Sequence, residues 1–167
     1  MIFTALLFYP GPSGKVLALF VFVLAALTDY FDGMLARRMK EVSAFGKLMD
    51  PITDKMLTLS AFFSFWWLSV LPLWMVLVVV ARELLVTVAR FFMPPDSPGF
   101  AAQFSGKVKT ALQFVFIIAV LSYLIARQLP DWQPEWNGQA ILLARGGMLI
   151  IVLVTVWSGL QVFRRKA

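Results

Sequence analysis

Four aspartates lie close together in a stretch of sequence that is otherwise mostly apolar. Asp29 and Asp32 form one pair, and Asp50 and Asp54 form the other. Residues three or four apart share a helix face, so each pair projects from one side of its segment if that segment is helical. Carboxylates that converge repel one another unless cations neutralise them. The spacing therefore predicts a site that binds metal ions.

The composition restricts which metal such a site would take. The sequence contains no histidine and no cysteine, so every side-chain ligand must be an oxygen atom. Oxygen donors at this density suit Mg²⁺ or Mn²⁺, with Ca²⁺ also open. One or two such ions, bridged by the phosphates of a substrate, would balance the carboxylates.

The residues that follow Asp32 fit a phosphate ligand. Gly33 costs a helix about 1 kcal/mol relative to alanine, which indicates close approach of either a ligand or a neighbouring helix. Ala36 fits both interpretations. Arg37 can bind a phosphate through two hydrogen bonds, or it can lie at the membrane interface as a basic residue near a loop. A proton or ion pathway would also use buried carboxylates, but it would distribute them across the bilayer.

Long apolar segments must position these residues. The chain of 167 residues is 60% hydrophobic, with a mean hydropathy of +0.83, which is typical of an integral membrane protein. We predict a single all-α transmembrane domain over residues 1–167, in which residues 1–9 form a stub too short to cross the bilayer. The predicted complete spans are residues 16–37, 46–70, 73–92, 108–126 and 140–163.

Basic residues concentrate on one side of this bundle. Arg38 and Lys40 follow the first complete span, and Arg164 and Arg165 follow the last. The positive-inside rule assigns this side to the cytoplasm and accounts for the net charge of +6 without nucleic acid as a partner. The aspartates then lie at the cytoplasmic ends of two antiparallel helices, where a soluble substrate and a lipid headgroup can meet.

The complete pattern from Asp29 to Asp54 reads D-x-x-D-G-x-x-A-R, eight residues, then G-x-x-x-D-x-x-x-D. It resembles the signature of the CDP-alcohol phosphotransferases, and every fixed position is present. The resemblance implies a polytopic bundle of six transmembrane helices, the first truncated in this chain, and a homodimer in the bacterial inner membrane. It also implies a site with two metal ions that faces the cytoplasm, where an alcohol hydroxyl displaces CMP from a CDP-linked substrate.

The resemblance assigns roles position by position. The four aspartates would surround the metal ions, and Asp54 would also take the proton of the attacking hydroxyl. Phosphoryl transfer depends mainly on charge neutralisation and placement, and a carboxylate is a plausible base where histidine is absent. The residues that would line the CDP pocket are Asp29, Asp32, Gly33, Ala36, Arg37 and Gly46.

Basic residues further along the chain indicate which alcohol is the acceptor. Segments 81–83 and 106–110 resemble those of bacterial phosphatidylglycerophosphate synthases, which transfer the phosphatidyl group of CDP-diacylglycerol to glycerol 3-phosphate. An anionic acceptor needs cations in addition to those that hold CDP. The candidate residues for its phosphate are Arg82, Arg90, Lys107 and Lys109.

Other interpretations stay open. Inositol 1-phosphate would need the same cations, and sibling enzymes use phosphatidylglycerol or serine. Arg82 can instead form an internal ion pair with Glu83, and Lys107 and Lys109 fit the positive-inside bias.

Two alternatives concern the function of the whole protein. A small cation transporter would use the carboxylates, but that function gives no reason for the glycine, alanine and arginine beside them. Family members usually have a complete first helix. Because this chain has only a stub there, an inactive relative that serves as a membrane scaffold is a further alternative.

Overall fold

The structure, a computed structural model, describes residues 2–39, 44–91 and 103–164, and the side chains of residues 2–28, 31, 55–88 and 109–159. All regular structure in these ranges is helical, which confirms the predicted all-α class. One short helix precedes five long ones, as the apolar runs predict. The helices are α1 (Ile2–Phe8), α2 (Pro12–Met39), α3 (Ala44–Trp67), α4 (Leu73–Phe91), α5 (Gln103–Ala126) and α6 (Trp136–Arg164).

The seven-residue helix α1 turns back against the start of α2. At Gly14 a Cβ atom would lie 2.7 Å from the main-chain oxygen of Leu6 and 2.8 Å from Cβ of Tyr9, so the two helices meet where one has no side chain. α1 also packs on α3, and its buried residues Phe3 and Leu7 join the apolar core. The predicted stub is therefore an integral part of the bundle.

Aromatic contacts hold α5 against the two helices that carry the aspartates. The ring of Phe22 on α2 meets that of Phe114 edge to face, with centroids 5.7 Å apart. Phe62 on α3 packs on Phe116 at 6.3 Å. Such ring pairs add stability beyond the burial of their area. The phenylalanines thus fix α2 and α3 relative to a common neighbour.

Two helices are long and apolar enough to cross a membrane by length and composition alone, within the described part of the chain. They are α5 over Lys109–Ala126 and α6 over Trp136–Gly159, and α2 has a shorter apolar stretch over Pro12–Thr28. Large apolar side chains on α6 face outward from the bundle, as expected of a surface in contact with lipid. The most exposed of these are Leu142, Leu143, Leu153 and Trp157.

The order of the helices brings five helix ends together. Successive long helices run in opposite directions, so the end of α2, the start of α3, the end of α4, the start of α5 and the end of α6 share one side of the bundle. We call this the motif end, because the parts of α2 and α3 that carry the aspartate motif lie toward it. Tryptophans mark the opposite end, where Trp132 packs edge to face on Trp136 with centroids 5.4 Å apart.

Candidate active site

The four aspartates lie on two helices that contact each other. Asp29 and Asp32 belong to α2, and Asp50 and Asp54 belong to α3, so the predicted helical backbone at these positions is confirmed. Their side chains lie outside those that the structure describes, and the convergence of the carboxylates stays a prediction. Within the described side chains, no group of three or more acidic residues forms a metal site.

The same holds for the other residues of the predicted CDP site and for two of the four predicted acceptor-binding residues. Gly33, Ala36 and Arg37 lie on the last turns of α2, and Gly46 lies on the first turn of α3. Arg90 and Lys107, two of the predicted acceptor-binding residues, fall at the end of α4 and near the start of α5. All six positions are at the motif end, and their side chains are among those not described. Their roles therefore stay predictions.

The described side chains at the motif end form a polar cluster centred on a buried glutamate. Glu83 of α4 has only 7% of its surface exposed, although it lies in an apolar helix. Lys109 of α5 donates a hydrogen bond from Nζ to its Oε1 atom. Nη1 of Arg82 lies 3.3 Å from the same oxygen, and Nζ of Lys55 on α3 lies 3.9 Å from Oε2. One carboxylate therefore faces three cations from three helices.

Uncharged groups complete this arrangement, which we call the Glu83 cluster. Lys55 donates to Oγ1 of Thr87 and to the main-chain oxygen of Glu83, at 3.4 Å in the latter case. Arg82 donates from Nη2 to Oγ of Ser158 at 2.5 Å, which connects α4 to α6. The cluster joins four helices and consists of Lys55, Arg82, Glu83, Thr87, Lys109 and Ser158.

Close packing against α6 fixes the path of the Arg82 side chain. A Cβ atom at Gly159 would lie 3.2 Å from Nε and 3.3 Å from Cγ of Arg82. These distances are shorter than most Cβ contacts in proteins, so any larger residue at position 159 would force the arginine to shift. The absence of a side chain at Gly159 thus leaves the arginine room to reach both Glu83 and Ser158.

The cluster carries an excess of positive charge. Its three basic groups and one carboxylate sum to a formal charge of +2, counted over Lys55, Arg82, Lys109 and Glu83. Among the side chains that the structure describes here, positive charge is therefore in excess, and a cationic group of this kind attracts anions. The side chain of Lys55 is 28% exposed, compared with 13% for Arg82 and 7% for Lys109. Lys55 is therefore the cation of this group most open to a ligand.

The structure brings together two of the predicted acceptor-binding residues, Arg82 and Lys109, through their common partner Glu83. The internal ion pair of Arg82 with Glu83, which the sequence left open as an alternative, is present. Lys55 was missed, although a lysine within an apolar helix and directly after Asp54 was a usable signal. Ser158 and Thr87 carried no signal, because hydroxyl residues are common in membrane helices.

Lys55 also connects the cluster to the predicted catalytic base. Asp54 precedes it in α3, and the Cα atoms of consecutive residues are about 3.8 Å apart. The hydrogen bond from Lys55 to Thr87 therefore ties the turn of α3 that bears Asp54 to α4. The residue predicted to be the base thus directly precedes one of the three cations in the sequence.

The profile of the CDP-alcohol phosphatidyltransferase family matches residues 1–158. The chain belongs to this family. Its fold is that of an all-α membrane protein of this family, and the resemblance found in the aspartate motif is confirmed. The matched range contains both the aspartates and the whole Glu83 cluster.

Several curated proteins are similar to the chain over most of its length. The CDP-diacylglycerol–glycerol-3-phosphate 3-phosphatidyltransferase of Pectobacterium atrosepticum is 33% identical, over 95% of this chain and 84% of its own. The protein with the same description from Bacillus subtilis is 30% identical, over 93% of this chain and 76% of its own. A cardiolipin synthase (CMP-forming) from Streptomyces coelicolor is 39% identical, over 68% of this chain and 54% of its own.

Proposed function

We propose that the protein transfers the phosphatidyl group of CDP-diacylglycerol to sn-glycerol 3-phosphate, giving phosphatidylglycerophosphate and CMP in phospholipid biosynthesis. The observation that carries this proposal is the family membership over residues 1–158, together with relatives of that description that align over most of their length. The complete aspartate motif and the cationic Glu83 cluster beside it supply the chemical groups that the reaction needs.

The proposed reaction is a displacement at phosphorus. A hydroxyl oxygen of glycerol 3-phosphate bonds to the phosphorus that carries diacylglycerol, and the bond from that phosphorus to the bridging pyrophosphate oxygen breaks. CMP leaves with this oxygen, and the hydroxyl proton passes to the carboxylate of Asp54. Gly33, Ala36 and Arg37 on α2, with Gly46 on α3, hold the cytidine diphosphate group.

The donor set suits a pair of divalent cations. Asp29, Asp32, Asp50 and Asp54 offer only carboxylate oxygens, from two helices in contact, which matches the preference of Mg²⁺ or Mn²⁺. When bound there, these ions would neutralise the charge of the carboxylates and of the pyrophosphate.

The acceptor phosphate is proposed to bind next to Asp54, at the Glu83 cluster. Arg82 and Lys109 belong to that cluster, and Arg90 and Lys107 lie on the same two helices toward the motif end. A phosphate monoester carries between about −1.5 and −2 charges near neutral pH, which is close to the surplus of the cluster. The positive charge of the cluster therefore favours an acceptor with a phosphate group over a neutral alcohol.

The proposal also includes location and assembly. We infer that the protein lies in the bacterial inner membrane, with the motif end toward the cytoplasm, and that it acts as a homodimer. The basic residues around the motif end support this orientation, and the relatives described above come from bacteria.

The identity with a cardiolipin synthase favours one second candidate. The sequence identity with that relative is higher, at 39%, but it extends over a shorter part of the chain. Because a cardiolipin synthase would use phosphatidylglycerol, this lipid is the alternative acceptor. Phosphatidylglycerol is a lipid with one phosphodiester charge, whereas glycerol 3-phosphate is soluble and more highly charged. The two acceptors can therefore be offered separately, in micelles and in solution.

The deciding experiment measures CMP release by the purified full chain in detergent, with CDP-diacylglycerol and Mg²⁺. Glycerol 3-phosphate, phosphatidylglycerol, inositol 1-phosphate and serine are compared, with an acceptor-free control. We expect release that depends on glycerol 3-phosphate. Release with phosphatidylglycerol alone would establish the second candidate, and release with inositol 1-phosphate or serine alone a different sibling. An absence of release with every acceptor would contradict the enzyme and favour the transporter or scaffold interpretation.

A further inference from the structure

We propose that Glu83 is a positioning residue that holds the acceptor-binding cations in a single arrangement. This inference rests on the proposed function, because it concerns how the acceptor phosphate is received. Glu83 itself is an anion and would not contact that phosphate. It acts through Lys55, Arg82 and Lys109, each of which lies within ion-pair distance of its carboxylate.

The first argument is electrostatic. Lys109 and Glu83 have only 6% and 7% of their surfaces exposed, so water screens their interaction little. Removing one partner of a buried charge pair leaves the other uncompensated, which is strongly unfavourable. Without the carboxylate, three cations would repel one another and separate. Glu83 therefore reduces the repulsion among them before a phosphate arrives.

The second argument is geometric. Three oxygen atoms of Glu83 contact neighbouring side chains, and each oxygen has different partners. Oε1 accepts from Lys109 and Arg82, Oε2 faces Lys55, and the main-chain oxygen accepts from Lys55 and from Thr87. One residue of α4 thus sets the positions of side chains from α3 and α5 as well as from its own helix.

The third argument concerns the open side of the cluster. Lys55 is the most exposed of the three cations and directly follows Asp54. A phosphate bound there would bring the rest of the acceptor beside the proposed base. Binding of a dianion would also bring the cluster close to neutrality, since the charges of the four ionised side chains sum to +2. The charge of the cluster therefore suits a doubly charged phosphate, and the position of Lys55 beside Asp54 suits the phosphate of the acceptor.

The test compares Glu83→Gln with the wild type in the CMP-release assay. Glutamine keeps the size of the side chain and removes its charge. We expect the KM for glycerol 3-phosphate to rise at least about tenfold, because the cations lose their common partner, while the KM for CDP-diacylglycerol stays within about twofold. Glu135→Gln is the matched control, because Glu135 is exposed at the opposite end of the bundle. An unchanged or lowered KM for glycerol 3-phosphate would overturn the proposal.

Two further variants keep all four charges and test the same idea if Glu83→Gln does not fold. Ser158→Ala removes the second anchor of Arg82, with Ser122→Ala as its control, because among the described residues Ser122 bonds to a main-chain oxygen on its own helix. Gly159→Ala displaces Arg82 sterically, with Gly146→Ala as its control, since a Cβ at Gly146 would meet nothing within 4 Å. We expect both test variants to raise the KM for glycerol 3-phosphate about threefold or more. If Glu83→Gln does not fold, an unchanged KM in both of these variants would overturn the proposal.

The wild-type measurement separates this inference from the proposed function. If the wild type releases no CMP with glycerol 3-phosphate, the proposed function fails first. If the wild type is active and every variant keeps its KM for that acceptor, the role of Glu83 fails alone. A uniform loss of kcat with both KM values unchanged would mean that Glu83 is only structural, and this outcome also overturns the proposal.

Discussion

Arg82 and Ser158 are 76 positions apart in the sequence and are joined by a hydrogen bond of 2.5 Å from Nη2 to Oγ. The same guanidinium reaches Glu83 through Nη1 at 3.3 Å. A planar guanidinium that is held at two of its nitrogens has little freedom to rotate. Arg82 is therefore fixed between α4 and α6, and Ser158 becomes part of the site although no chemical step requires it.

The first prediction concerns the proposed base. Asp54→Asn should lower kcat about 10³-fold, because an amide cannot accept the hydroxyl proton. Binding of CDP-diacylglycerol should stay within about threefold, since the other three aspartates are unchanged. The measurement is CMP release together with equilibrium binding of a labelled lipid substrate. Asp131→Asn, an exposed aspartate at the opposite end of the bundle, is the control, and turnover like that of the wild type in Asp54→Asn would contradict the assignment.

The second prediction concerns Arg90 and Lys107, the two predicted acceptor-binding residues whose side chains the structure does not describe. Arg90→Ala and Lys107→Ala should each raise the KM for glycerol 3-phosphate about tenfold and the KM for CDP-diacylglycerol much less, because each removes a charge that we propose binds the acceptor phosphate. Steady-state kinetics with each substrate varied in turn provide the measurement. Arg127→Ala removes a charge at the opposite end and should have no such effect. Equal effects on both KM values would indicate that Arg90 and Lys107 serve only the orientation of the chain.

The third prediction concerns metal ions and has a readout that does not depend on turnover. A ligand that binds only the folded protein raises its thermal stability. Mg²⁺ or Mn²⁺ should therefore raise the Tm of the EDTA-treated protein in detergent, and CMP release should return with the same ion. Asp50→Asn should reduce the rise in Tm, because one of the four proposed ligands is lost, whereas Asp131→Asn should keep it. A rise of equal size in both variants would place the bound ion elsewhere.

The fourth prediction concerns a buried hydroxyl next to the cluster. Thr155 is fully buried on α6, and its Oγ1 atom has no hydrogen-bond partner within the described part of the structure. An unpaired buried hydroxyl costs about 1–3 kcal/mol, so Thr155→Val should raise the Tm by about 2–4 °C or more. Thr155→Ser, which keeps the hydroxyl and loses a methyl group, should lower it. A Tm that falls in Thr155→Val would mean that the hydroxyl binds a group essential to the fold.

The fold could be predicted from the sequence because its helices are long and their apolar runs are continuous. The predicted starts of the helices were less accurate where polar residues extend a helix beyond its apolar run. α5 begins at Gln103 instead of the predicted residue 108, and α6 begins at Trp136 instead of residue 140. At the latter start, Asn137 accepts hydrogen bonds from Tyr123 and Trp132. These contacts stabilise a helical turn that hydrophobicity alone does not predict.

The site was predictable to the extent that its residues are close in sequence. The aspartates recur at helical spacing, so the pattern indicated both their helices and their chemistry. The Glu83 cluster is different, because Lys55, Glu83, Lys109 and Ser158 come from four helices and meet only through tertiary packing. The pairing of Glu83 with its neighbour Arg82 was visible in the sequence as an alternative, but its pairing with Lys55 and Lys109 was not.

The lack of a side chain at Gly159 has a consequence for how this protein and its relatives vary. Because a Cβ atom there would press on Nε and Cγ of Arg82, positions 82 and 159 are not free to change independently. A relative with alanine or serine at the position of Gly159 should have a shorter side chain at the position of Arg82, or should direct its arginine along another path. Substitutions at the two positions should therefore occur together when relatives are compared.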